Sequence, residues 1–304
     1  HATIRRQRQM CIRDSLGDDV PAETLAWQDP LPERDYKLIS DRDIRKLEAA
    51  VEDSGLTNTQ LVSTAWASAS TYRGTDMRGG ANGARIRLAP QNQWAINNPD
   101  ALAEVITVLE EVQDEFNSGL SRGKQVSLAD VIVLAGNVGV EQAAEEFGVE
   151  VSIPFTPGRV DAIEGSLDAS SWSVMEPRHD GFRNHMADLG FMTPSQALID
   201  KADMLNLTVS EMTVLLGGMR AMNANADGSD RGVLTDRPGV LSNDFFVNLL
   251  DMNTAWGPSS EAYVFEGRDR QTGDLKWTAT EFDLVFGSNS ELRSVVEFYA
   301  FDES

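Results

Sequence analysis

The stretch SLADVIVLAGNVG, residues 127–139, is an almost continuous apolar run that begins with a serine. Serine is a favoured helix N-cap, because its hydroxyl accepts a hydrogen bond from a backbone N–H of the first turn. A helix that is apolar on every side belongs in a protein interior. The stretch therefore predicts a buried helix, and a second helix is expected to follow from Glu141 to Phe147.

Further helices are predicted on both sides of this run. Thr57 and Gln60 have the spacing of a capping box, in which each side chain bonds the backbone N–H of the other residue. Pro99 suits the first turn of a helix, and apolar residues then recur at helical spacing as far as Gly119. The complete set of these additional helices covers residues 41–53, 61–71, 99–119, 193–205, 208–222, 242–252 and 288–299.

The periodicity changes between residues 264 and 280. There, mainly apolar residues recur at every second position on both sides of the turn QTGD, residues 271–274. A period of two is typical of a β-strand, and two such runs around a short turn predict a β-hairpin. The predicted fold class is therefore mainly α, with one small β-hairpin.

The charge balance is strongly acidic. The chain has 304 residues, with 26 lysines and arginines against 48 aspartates and glutamates, a net charge of −22. Nucleic acids and anionic membranes attract clustered positive charge, so this balance argues against both partners. No run approaches the ~20 apolar residues of a membrane span. Strong acidity with few lysines is typical of proteins from saline surroundings, and an ordinary acidic cytoplasmic protein is the alternative.

The amino-terminal residues 1–17 lack the apolar stretch of a signal peptide. Residues 5–14, RRQRQMCIRD, resemble the in-frame translation of a transposase-type sequencing adapter, and a genuine basic tail is the alternative. We therefore expect residues 1–17, which include the single cysteine, to be an artefactual, disordered segment. Prolines predict that residues 18–40 are an extended interdomain linker, packed through Trp27 and Leu31. Residues 41–304 are the predicted folded domain.

The residues alone offer no convincing catalytic constellation. His179 and His185 lie six positions apart, without the spacing of a zinc-binding helix, and are predicted to be surface or loop residues. GGANGAR, residues 79–85, has the glycines of a phosphate loop. It lacks a preceding strand and a following Lys-Ser or Lys-Thr, so a tight structural turn is predicted. Cys11 lies in the suspect segment, which leaves no thiol for a nucleophile or a zinc cluster.

Five long segments resemble the bifunctional catalase-peroxidases, haem enzymes of the class I peroxidase superfamily. They occur in order and span nearly everything from residue 18 onward. The segments are AWASASTYRGTDMRGGANGARIRLAPQNQW from Ala65, VSLADVIVLAGNVGVEQAA from Val126, VSIPFTPGRVDA from Val151, TDRPGVLSNDFFVNLLDM from Thr235 and FEGRDRQTGDLKWTATEFDLVFGSNSELR from Phe265. The resemblance implies a haem-peroxidase-like helical domain.

The distal positions of the family are altered in this chain. The family has two similar halves, and the amino-terminal half holds haem and carries an RxAWH pattern on its distal helix. The matching run here has Ser63 in place of Arg and Ala67 in place of His, and it keeps Trp66. The loss of His removes the base that deprotonates peroxide, and the loss of Arg removes support for developing negative charge.

The proximal positions are altered as well. The haem half has a Gly-Gly-His sequence whose imidazole binds iron, and the matching residues here end in Met219. Without that imidazole a haem would have no axial ligand, and Met219 is expected to be a packing residue. Asp283 matches the proximal aspartate, without a histidine to orient. The resemblance thus implies no catalytic residue, no haem and no metal site in this chain.

The resemblance implies a structural role. The chain is similar to the haem-free C-terminal domain, truncated at its C-terminus, whereas haem b belongs to the N-terminal domain of the parent enzyme. We expect this domain to support the N-terminal haem domain of the same chain and the assembly of a homodimer. The parent would be a cytoplasmic enzyme that disproportionates hydrogen peroxide and oxidises small donors during oxidative stress, and this chain alone is expected to be inactive. The alternatives are a stand-alone haem peroxidase with an unusual ligand such as Met219, and an orphan protein-interaction module.

Overall fold

The computed structural model describes residues 28–165, 168–187 and 189–301. The predictions for residues 1–17, and for residues 18–27 with Trp27, lie outside these ranges. Helices dominate the described part of the chain, so the mainly α fold class is confirmed. Its α-helices are α1 (Asp41–Glu52), α2 (Asn58–Ala69), α3 (Pro99–Ser118), α4 (Leu128–Phe147), α5 (Ala169–Ser173), α6 (Pro194–Met204), α7 (Val209–Ala221), α8 (Asp244–Leu249), α9 (Glu281–Ser288) and α10 (Ser290–Phe301).

Several helices begin at the capping residues that the sequence predicts. Before α2, the Thr57 hydroxyl accepts from the Gln60 N–H at 3.2 Å, and Oε1 of Gln60 accepts from the Thr57 N–H at 2.9 Å. Thr208 and Glu211 make the same reciprocal pair before α7, where Oε2 of Glu211 accepts from the Thr208 N–H at 2.8 Å. Each pair satisfies donors that a helix start otherwise leaves unbonded.

The buried apolar run forms one helix, α4, rather than the predicted two. Its internal glycines are sites of close packing against α2 and not helix ends. A Cβ on Gly136 would lie 2.5 Å from the Cβ of Ala65, and a Cβ on Gly139 would lie 3.0 Å from the Cβ of Leu61. The two helices approach this closely because neither glycine has a side chain, so the glycines mark a packing interface within one continuous helix.

The predicted β-hairpin is present and is part of a larger sheet. Strands β4 (Val264–Asp269) and β5 (Leu275–Thr280) pair antiparallel. A third strand, β3 (Thr254–Pro258), pairs with β4 at the opposite edge. Its alternation is masked by Gly257 and Pro258, which are rare in strands, and proline is tolerated here because β3 is an edge strand.

The two histidines that were predicted to be surface or loop residues lie in a short β-ribbon, whose two strands have two residues each. Strand β1 (His179–Asp180) pairs antiparallel with β2 (His185–Met186), so both histidines lie in paired strands rather than in a loop, and both are half-buried. The 3-10 turn Gly181–Arg183 reverses the chain between the strands. Residues 180–184, here called the 180–184 segment, therefore form a compact and fixed reversal.

The C-terminal helices also differ from the prediction. Helix α8 ends at Leu249, three residues before the predicted end, and α9 is an additional helix. Helix α9 begins after Thr280, whose N–H and hydroxyl donate to Oδ2 of Asp283 at 2.7 and 2.9 Å. The cap uses an aspartate as the third helical residue, as does the capping box of Ser40 and Asp43 before α1, where the Ser40 N–H donates to Oδ2 of Asp43 at 3.0 Å.

The described residues contain two large clusters of buried apolar side chains that meet at α2, and a smaller third cluster around Trp94 and Trp172. Leu61 and Ala67 of α2 belong to the first cluster, together with residues of α1, α3 and α4. Val62 and Trp66 pack against the second, which contains Phe182 and residues of α6 to α10. Because consecutive turns of α2 face both clusters, this helix and the residues that contact it are central to the domain.

The described part of the predicted linker is attached to the domain. The carboxylate of Asp29 lies 2.7 Å from Nε of Arg78, and the Lys37 N–H donates to the carbonyl of Gly123 at 2.8 Å. Leu31, through which the linker was expected to pack, is half-buried. The domain boundary itself stays a prediction.

Candidate functional site

Helix α2 carries three of the predicted site positions, Ser63, Trp66 and Ala67. The alanine is buried, and the other two residues are half-buried. Nε1 of Trp66 donates to Oδ2 of Asp180 at 3.1 Å. The Trp66 ring also meets the Phe182 ring edge to face, with 5.4 Å between the ring centroids. The tryptophan is thus held by a hydrogen bond and by packing to the 180–184 segment.

Helix α7 carries the fourth position, Met219, which is buried in the second apolar cluster. The next residue, Arg220, is fully buried and donates to the 180–184 segment. Its guanidinium bonds the carbonyl oxygens of Gly181 and Phe182, both at 2.7 Å, and Oδ1 of Asn184 at 2.9 Å. The 180–184 segment is therefore bonded from α2 and from α7, the two helices that carry the predicted distal and proximal positions.

The fifth position, Asp283, is fully buried near the start of α9. Oδ1 of Asp283 accepts from Nε of Arg220 at 2.7 Å, while Oδ2 caps α9 through Thr280. The carboxylate thus has a cationic partner, Arg220. This ion pair is not predictable from the local pattern, and the one signal for it is an arginine inside the apolar run of α7.

A second buried charged group lies within the 180–184 segment. The carboxylate of Asp180 accepts from Nε of Arg183 at 2.8 Å and from the Phe182 N–H at 3.1 Å. Burial raises the pKa of Asp180, but the positive charges of Arg183 and Lys201 outweigh burial and hold that pKa below its usual value. Arg183 also donates to Oδ1 of Asn97 at 3.0 Å. The buried pair of Asp180 and Arg183 was likewise not predicted from the sequence.

The structure connects only part of the predicted site. Trp66 and Asp283 are joined through the 180–184 segment and Arg220. In the described residues, the side chains of Ser63, Ala67 and Met219 add no hydrogen bond to this network. In this arrangement the buried charges are paired and the buried polar groups are hydrogen-bonded. Such a network stabilises the packing of the helices.

The glycine-rich sequence at residues 79–85 forms a tight turn. Gly79, Gly80 and Gly83 have φ angles of +76°, +86° and +103°. The guanidinium of Arg85 then lies over the Trp172 ring, 5.0 Å from its centroid. This packing supports the structural interpretation of the turn.

Two other kinds of feature are absent from the described residues. Across 28–165, 168–187 and 189–301, no three His, Cys, Asp or Glu side chains group as a metal site. None of the helices in these ranges combines the length and apolar character needed to cross a membrane.

Comparison with known proteins identifies the class. A family model described as peroxidase matches residues 23–302, so the chain belongs to the peroxidase family. Among curated proteins, it is 59% identical over 286 residues to a catalase-peroxidase of Hahella chejuensis and 56% identical over 290 residues to catalase-peroxidase 2 of Legionella pneumophila. These matches cover 94% and 95% of the chain. The resemblance to catalase-peroxidases is therefore confirmed.

The relatives are much longer than the matched region. The chain spans 39% of the length of the Hahella relative, and the same share of a catalase-peroxidase 2 from Shewanella sp. (strain MR-4) that is 60% identical over 285 residues. The activity of the full-length relatives is therefore proposed for this chain and not assigned to it directly.

Proposed function

We propose that this chain is a haem-free structural domain of a catalase-peroxidase. It supports the haem-bearing N-terminal domain of the same chain and the dimer of the parent enzyme, which consumes hydrogen peroxide in the cytoplasm. The support is the similarity to catalase-peroxidases over 94% of the chain, together with the coverage of only 39% of the relative. Catalysis and haem b belong to the other domain in this proposal.

The 180–184 segment carries the haem-free part of the proposal. The resemblance implies that haem in the other half lies between the distal and proximal helices. Here the matching helices both bond one segment, with Phe182 against Trp66 and with two carbonyl oxygens on Arg220. A haem would have to displace these groups and leave buried charges unpaired, which is strongly unfavourable. The residues present therefore do not fit the cofactor.

The substitutions at the predicted site agree with this interpretation. Ala67 offers no base for peroxide, and Ser63 offers no fixed positive charge for the leaving oxygen. Met219 lies among the apolar side chains of the second cluster. A thioether in such a position fills space, which favours packing over ligation of iron.

One experiment tests both parts of the proposal. The Hahella relative is truncated to remove the region matched by this chain, and its peroxide turnover and Soret band are measured with and without the added chain. We expect the truncated relative to lose turnover and to regain it when this chain is added. The haem content should stay at the level bound by the truncated relative. The same chain after irreversible heat denaturation is the matched control and should restore nothing.

The chain alone is titrated with hemin in parallel. We expect no saturable Soret change and no peroxide decomposition, either for this chain or for the triple variant Ser63→Arg, Ala67→His and Met219→His. The triple variant should fail because the 180–184 segment still contacts both helices. A stoichiometric haem complex of the unaltered chain with turnover would contradict the haem-free assignment, and failure to restore the truncated relative would contradict the supporting role.

A further inference from the structure

A cavity of about 190 Å³ lies where the end of α2 approaches α6. Its apolar lining includes Met175, Pro177 and Met204, and the side chain of Lys201 also faces it. A cavity of this volume has room for several water molecules or for one small organic molecule. Ligand sites commonly combine mostly apolar walls with a few placed polar groups.

Lys201 is an unusual group in such a wall, because only 6% of the residue is exposed. A lysine ammonium has three hydrogen-bond donors. In the described part of the chain, its one acceptor is the carbonyl oxygen of Ser70. A buried charge normally needs paired and hydrogen-bonded surroundings, so this ammonium has donors left for a further partner.

The nearby acidic groups do not supply that partner. Asp180 attracts Lys201 electrostatically, but its carboxylate is already ion-paired with Arg183 at 2.8 Å. Asp200 lies 3.6 Å from Nε2 of His179. Two buried cations, Lys201 and Arg183, thus lie beside one fully buried carboxylate, and the other carboxylate that acts on Lys201, that of Asp200, is partly exposed to solvent.

Other basic residues of the cavity wall have partners within the chain. Arg73 is ion-paired with Asp76, and Nε2 of His179 lies 3.6 Å from Oδ2 of Asp200. Lys201 is therefore the lining residue for which a bound ligand would supply a missing acceptor.

We propose that this cavity binds a small monocarboxylate. The carboxylate accepts from Nζ of Lys201, and a short hydrocarbon chain packs against Met175, Pro177 and Met204. Charge-assisted hydrogen bonds are roughly twice as strong as those between neutral groups. The proposal does not rest on the supporting role of the domain, because the cavity belongs to this chain alone.

The charge state of Lys201 offers a direct measurement. Burial lowers the pKa of Lys201, against the opposing effect of Asp180. A bound carboxylate favours the charged amine, so binding should raise that pKa. The chain contains five lysines, so lysine labelled with ¹³C at Cε gives few resonances, and each can be assigned by single substitution. The residues are Lys37, Lys46, Lys124, Lys201 and Lys276.

The full chain is titrated with sodium propionate, with sodium chloride at the same ionic strength as the reference. We expect a saturable change in the Cε resonance of Lys201 and a rise in its titration midpoint, while exposed Lys46 does not respond. Calorimetry should show binding at least about tenfold weaker for Lys201→Met, because a charged hydrogen-bond donor is lost. The matched control Lys46→Met should bind as the unaltered chain does.

The direct measurement does not require the variant to fold, because the Lys201 resonance is also identified by elimination of the other four. An absent response to propionate, or an equal response to chloride, would overturn the proposal. An equal response to inorganic phosphate would also overturn it, because the apolar walls would then have no part in recognition.

Discussion

Arg220→Met removes the guanidinium that bonds the 180–184 segment to α7 and neutralises Asp283. The methionine keeps much of the volume, so the main effects are electrostatic. The variant leaves a fully buried carboxylate without its cation, and it leaves two backbone carbonyls and Oδ1 of Asn184 without the arginine donors. Breaking one partner of a buried pair costs about 3–5 kcal/mol. The lost hydrogen bonds act in the same direction and are not simply additive.

We therefore expect a loss of at least about 4 kcal/mol, a large share of the roughly 5–15 kcal/mol that stabilises a typical protein. The thermal midpoint should fall by about 8 °C or more, because each kcal/mol shifts a chain of this size by about 2 °C. Urea unfolding followed by circular dichroism gives the free energy of unfolding, and differential scanning calorimetry gives the midpoint.

Two comparisons make the result specific. Arg293→Met removes an ion pair with Glu297 at 2.8 Å in which both side chains are nearly half exposed, and it should cost no more than about 0.5 kcal/mol. The double variant Arg220→Met with Asp283→Asn should be more stable than Arg220→Met alone, because the unpaired charge is gone. A cost below about 1 kcal/mol for Arg220→Met, or no recovery in the double variant, would refute the reasoning.

Two other predictions concern packing and pH. Gly217→Ala should destabilise the domain by about 1–3 kcal/mol, since the new Cβ would lie 2.3 Å from Cζ of the buried Phe246. Gly218→Ala is the matched control: its Cβ would meet Leu241 at 3.5 Å, so it should gain up to about 1 kcal/mol from helix propensity in the same urea titration. Asp251, which bonds Lys276, has a pKa lowered to about 2, so its contribution to stability is present above the ordinary aspartate pKa and lost as pH falls towards 2. Unfolding of the unaltered chain and of Asp251→Asn should differ at pH 6 and converge near pH 2, and a constant difference would contradict the assignment.

The helix starts were predictable because their causes are local. Thr57 with Gln60 and Thr208 with Glu211 place donor and acceptor three residues apart, so the sequence alone contains the whole interaction. Strand β3 was not predictable in this way, because its pairing with β4 lies outside the local pattern. The role of the glycines in α4 was not predictable for a related reason, because it depends on α2, which is distant in the sequence.

The candidate site likewise has a part that was predictable from the sequence and a part that was not. The resemblance located Trp66, Met219 and Asp283, but it could not supply their partners in this chain. Those partners, Asp180 and Arg220, are defined by contacts between regions far apart in the sequence. A charged residue inside an apolar helix is a usable signal for such a network, because burial without a partner would be too costly.

The 180–184 segment has a consequence for the time course of folding. Its bonds to Trp66 join residues 114 positions apart, and the Arg220–Asp283 pair closes a separation of 63. Closing loops of this size costs chain entropy before any contact is made, so these bonds are expected to form late. Interactions that form after the rate-limiting step slow unfolding and leave the folding rate almost unchanged. The buried charges therefore govern the lifetime of the folded chain rather than the speed with which it forms.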